Sequence, residues 1–181
     1  QALQAISNFV TEIDHFREID WPEASHERYN FMLHELIKSI EFTDPHDDDS
    51  QLHFGLTCLD SAYAGLNQRF KANDILDTES ITFETSLGKC LAVETSNDET
   101  IKLAQKQGFV LVVRKDPKLG NVRIKMRPDS PENLDKLQER IKQIDSVGSW
   151  YYHPSGKMLI NGSNKHRDQK ASPLTLNKVI S

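Results

Sequence analysis

Apolar residues at Leu3, Ile6, Phe9, Val10, Ile13 and Phe16 recur at three- and four-residue steps, which predicts a helix over 2–16. Trp21-Pro22 breaks that pattern. Tyr29, Met32, Leu33, Leu36, Ile37 and Ile40 predict a second helix over 25–42, with Ser25 as its N-cap. A third, longer helix over 50–70 follows from Leu52, Leu56, Leu59, Tyr63, Leu66 and Phe70.

The pattern changes near Ser80. Residues 81–85 and 90–95 read as two strands joined by a turn at 86–89. Asn97-Asp98 caps a short helix over 99–107, closed by Gly108. Residues 109–113 form a near-continuous apolar run, the mark of an interior strand. Residues 122–127 alternate strictly, so Arg123, Lys125 and Arg127 share one face of a half-exposed strand. A helix is expected over 131–144, started by Ser130-Pro131, then short strands over 150–152 and 158–160, and a last helix from Ser172-Pro173. The fold class is α+β: a helical arm over 1–76, then a mixed-sheet domain with flanking helices over 77–181.

With 181 residues the chain suits one large or two small domains. No apolar run approaches the roughly 18 residues of a membrane span, and no segment has the layout of a signal peptide. Cys58 and Cys90 are too few for a disulfide framework and fall in core-like patterns, which points to reduced thiols and a cytoplasmic setting. The net charge of −5 hides an asymmetry. Residues 1–79 carry 5 Lys/Arg against 16 Asp/Glu, and residues 80–181 carry 17 against 11. An acidic half holding five of the seven histidines suits metal ions, and a basic half suits phosphate or nucleic acid. Solvated helix faces and ordinary surface lysines account for the same numbers.

Candidate chemistry follows that division. Asp44, His46, Asp47, Asp48 and Asp49 are either metal-like or simply a helix start, where carboxylates complement the macrodipole. Glu12, Asp14, His15, Glu18 and Asp20 offer a carboxylate to a cation such as Mn²⁺ or Mg²⁺, or a solvated face. No HxxxH or CxxC spacing makes a self-sufficient metal site. In the basic half, Arg123, Lys125 and Arg127, with Arg114, Lys115 and Lys118, could follow a phosphate backbone. The sharpest feature is His153-Pro154-Ser155-Gly156-Lys157. Ser155 and Gly156 can present consecutive N–H groups as an anion nest, His153, Lys157 and Lys165 add charge, and a plain hairpin turn is the alternative. Gly156→Val should then remove the nest and spare the fold, provided the loop is exposed. A Ser-His nucleophile pair lacks an orienting acid.

In order, Phe9-Val10-Thr11-Glu12-Ile13-Asp14, Asp44-Pro45-His46-Asp47 before a long helix, Gln68-Arg69-Phe70, a basic strand, and His153-x-Ser155-Gly156 with Asn161-Gly162 resemble the distal half of Myg-type metal-dependent hydrolases of the DHH phosphoesterase superfamily. The resemblance implies an exonuclease or phosphodiesterase with Mn²⁺ or Mg²⁺ in the intact enzyme. It implies a metal-site acid at Asp14, and a substrate-binding domain using His153, Ser155, Gly156, Lys157, Gly162, Arg127 and Lys165. The Asp-Asn-Gly that usually continues the first motif is replaced by His15-Phe16-Arg17, and Asp-His-His itself would lie ahead of Gln1. The chain is therefore expected to be the distal part of such an enzyme or a truncated relative without activity, with no catalytic residue assigned and no tightly bound metal of its own. Expected partners are a nucleic-acid or nucleotide phosphate, no membrane, and as one option a second copy in a homodimer. The alternative is a non-catalytic nucleic-acid- or protein-binding domain.

Overall fold

The structure is a computed structural model that describes residues 1–23, 25–162 and 168–181. It is α+β, with a mixed six-stranded sheet flanked by helices. The chain divides into two units, 1–70 and 71–181. No helix among the described residues is long and apolar enough to cross a membrane.

The first unit holds α1 (Ala2–Asp14), 3-10 turns at Arg17–Asp20 and Glu27–Phe31, α2 (Leu33–Thr43) and most of α3 (Asp48–Glu79). The helix expected from Ser25 begins instead at Leu33. His26 accepts from the Arg28 N–H and winds 27–31 as a 3-10 turn, and Met32 is extended at ψ 147°. Phe9 stacks on Trp21 at 6.3 Å, and Trp21 meets Tyr29 at 5.4 Å. Asp47 caps the start of α3, its carboxylate accepting from the Ser50 N–H at 2.9 Å and the Ser50 hydroxyl at 2.6 Å. The unit leaves many large apolar side chains in water, with Phe42 79%, Phe31 77% and Ile19 76% exposed. α3 runs nine residues past the expected end, because Ala72 and Leu76 keep helical spacing and are both buried.

In the second unit β1 (Ile81–Thr85), β2 (Gly88–Glu94), β3 (Leu111–Lys115), β4 (Val122–Met126), β5 (Trp150–Tyr152) and β6 (Met158–Asn161) lie in the order β1-β2-β3-β4-β6-β5. Only β2 and β3 run parallel, joined through α4 (Glu99–Lys106). Gly108 ends α4 at φ +98°, with its N–H on the Gln105 carbonyl and the Phe109 N–H on that of Ala104. That closure delays the interior strand, expected from Phe109, until Leu111.

The sheet has two unlike faces. One packs Leu111, Val113, Val122, Ile124 and Leu159 against α5 (Asp135–Ile144) and α6 (Leu176–Ile180). On the other, α4 and the end of α3 cover only Leu91, Val93 and Val112, on β2 and β3. α5 starts at Asp135 rather than Pro131, where Asn133 accepts from the Asp135 N–H and the Leu134 N–H is held by the Gly156 carbonyl. A buried polar knot closes the unit: the Asn161 amide donates to the carbonyls of Ser149 and Lys170 and accepts from the Ser172 N–H, all within 2.9 Å.

Candidate functional site

The turn between β5 and β6 places His153, Ser155, Gly156 and Lys157 together. His153 Nδ1 accepts from the Ser155 N–H at 3.1 Å and lies 2.8 Å from the Ser155 hydroxyl. That hydroxyl accepts from the Lys157 N–H at 3.3 Å, and the Gly156 N–H donates to the His153 carbonyl at 2.9 Å. An Nδ1 that accepts a backbone N–H fits the neutral tautomer protonated at Nε2. Both backbone donors expected to form a nest, the N–H groups of Ser155 and Gly156, are therefore engaged within the turn, and so is that of Lys157. An anion there would have to displace them, so the turn offers the His153 imidazole and exposed Ser155 rather than an open cradle.

The other assigned residues scatter. The Lys157 ammonium turns away and donates to the carbonyls of Ser130 (2.6 Å) and Glu132, tying the turn to the segment before α5. Gly156 is buried at φ +72°. Gly162, at the far end of β6, has φ +72°, and a Cβ there would come within 2.5 Å of Asn121 Oδ1, so its described role is steric. Arg127 pairs bidentately with Asp129, and its hydrogen bond holds that carboxyl below the usual range. Lys165 lies outside the described residues. Asp14 is exposed at the end of α1. Among the described residues no three or more His, Cys, Asp or Glu side chains converge as a metal site. Asp44, His46, Asp47 and Asp48 only line a polar hollow of about 180 Å³. These residues do not fit the metal centre that the resemblance implies.

A second feature stands on the less covered sheet face. Arg114, on β3, is 3% exposed and opposite Arg123 on β4. It donates to the Thr95 carbonyl at 2.6 Å and pairs with Asp98 at 3.0 Å and Asp116 at 3.7 Å. Arg123 pairs with the same Asp98 at 2.6 Å. Two residues on, Lys125 lies half-buried, and burial pushes its ammonium down, with Arg123 adding to the effect. Burial likewise pushes the Arg114 guanidinium down, against the pull of Asp98. Arg114, Arg123 and Lys125 thus outnumber Asp98 and Asp116 at this corner, a local excess of positive charge.

On the same face, Ile160 lies between Tyr151 and Arg123 across β5, β6 and β4. Met158 pairs with Lys125 and accepts the His153 N–H. The alternation of 122–127 announced the cations. Tyr151, Met158 and Ile160 were missed, since strands of three and four residues carry too little alternation to show their facing. Asp98 was assigned only as a cap. No protein-family model, curated protein or solved structure matches the chain.

Proposed function

We propose that the chain is the distal, substrate-binding part of a DHH-type metal-dependent phosphoesterase, and that residues 71–181 hold a nucleic-acid or nucleotide phosphate on the open half of the sheet. The observation that carries this reading is the cation excess of Arg114, Arg123 and Lys125 on a sheet face where Lys125 leads through Met158 to His153. The resemblance of the sequence motifs suggests the family, and the basic sheet face supports the phosphate reading. Hydrolysis is not assigned to any residue of this chain, since its described residues do not build the metal centre. A non-catalytic nucleic-acid- or protein-binding domain is the alternative. Free Cys58 and Cys90 fit a reducing, cytoplasmic setting.

The test is a titration of a short labelled RNA at two salt concentrations. Affinity should fall with salt at a log–log slope of about −0.7 per neutralised phosphate. Lys125→Ala should weaken binding and flatten the slope by about one such step. Absence of binding at low salt, or an unchanged slope in the variant, would refute the phosphate reading.

A further inference from the structure

We infer that the open face of β4, β6 and β5 takes single-stranded nucleic acid, with two bases on Tyr151 and His153 and their phosphates on Lys125 and on Arg123, whose pairing with the exposed Asp98 a phosphate would share. This rests on the phosphate reading above and adds the substrate class. The register makes two parallel rows: Tyr151–Ile160–Arg123, and His153–Met158–Lys125. Each row steps from an aromatic edge strand, across an aliphatic strip, to a cation. Neighbouring strands lie about 4.8 Å apart, so the backbones that carry ring and cation are roughly 10 Å apart, on the scale of one nucleotide. The rows follow one another by two residues, about 6.8 Å along the strands, a step close to that of an extended, unstacked nucleotide chain.

The side chains suit that ligand. Tyr151 is 46% exposed and meets His153 edge-on at 6.2 Å, so each ring keeps a face for a base. Stacking is tolerant of sequence, because every base has a π-face. A duplex hides its base faces and could offer the rows only phosphates. An acidic peptide would match the cations but leave the aromatic column unused.

The experiment compares the full chain with Tyr151→Ala and Tyr151→Phe. The probes are a fluorescein-labelled pentauridylate, an abasic strand of equal length, an RNA duplex and a hexaglutamate peptide. Wild type should bind pentauridylate roughly tenfold or more tighter than the abasic strand, and tighter than duplex or peptide. Tyr151→Ala should collapse the ratio of pentauridylate to abasic affinity toward one, and Tyr151→Phe, which still stacks, should preserve it. Tyr151 lies outside both cores, so the fold tolerates either change. Equal wild-type affinity for the pentauridylate and abasic strands, a ratio untouched by Tyr151→Ala, or a preference for duplex or peptide overturns the single-strand assignment while leaving phosphate binding standing. Binding of neither strand by wild type removes the phosphate reading itself and the assignment with it.

Discussion

Asp145→Ala should destabilise the second unit by about 3–5 kcal/mol, read as a lower midpoint in urea or heat. Asp145 is 6% exposed and serves four donors: the N–H groups of Val147 (3.0 Å) and Gly148 (2.7 Å), the Trp150 indole (2.9 Å) and the Ser172 hydroxyl (2.5 Å). Truncation leaves these donors unpaired in a site closed to water, and each loses a charged acceptor. The carboxylate ties the end of α5, the start of β5 and the C-terminal segment together, so the loss spreads to all three. Gly148 belongs to the same arrangement, since a Cβ there would stand 2.4 Å from Asp145 Oδ2. The knot also sets an acid limit. Burial pushes the Asp145 carboxyl up, but the hydrogen bonds from Ser172, Gly148, Trp150 and Val147 outweigh it and hold the group below its ordinary value of 3.8. Its contribution is therefore complete above the unfolded-state value, near pH 4, and disappears as the pH falls through the lower folded value. Asp145→Asn should flatten that acid limb. A wild-type-like midpoint for Asp145→Ala would show that the knot is not what holds these elements.

Gly156→Val is expected to cost about 2–4 kcal/mol of stability rather than to remove an anion site from an intact fold. The residue is buried at φ +72°, a region that disfavours side chains and β-branched ones most. A Cβ would meet Asn133 Cβ at 3.1 Å and the Tyr152 hydroxyl at 3.3 Å. It would also disturb the Gly156 carbonyl that receives the Leu134 N–H, and with it the start of α5. Urea unfolding checks this. A change below about 0.5 kcal/mol would mean that the turn relaxes freely. The condition attached to the sequence-based expectation, an exposed loop, is not met, so Lys125 and Tyr151 are cleaner binding probes than Gly156.

The elements were largely legible because their signals are local. The apolar spacing of 2–16, the alternation of 122–127 and the Gly108 stop each lie within one element, and the sheet is mixed as expected. The errors fall where tertiary contacts decide. α3 continues through Ala72 and Leu76 because the second unit's core receives them, and α5 starts late because Gly156, some twenty residues downstream, holds Leu134. The site was legible only in part. The cations of β4 were visible, but Tyr151 and Arg123 stand in one row only through the intervening β6, a non-local fact. The expected nest was drawn from residue types alone, and the geometry shows its donors already occupied by His153 and Ser155.

The most direct test of the binding face is a ¹⁵N–¹H titration of the full chain with a single-stranded pentanucleotide at low salt. Shifts should concentrate on Arg123, Lys125, Tyr151, His153, Met158 and Ile160, reverse on adding salt, and leave Leu159 and Ile124, on the opposite face, near their free positions. Shifts confined to the acidic segment around Asp44–Asp49, or no shifts at any concentration, would contradict a phosphate-binding role for this sheet.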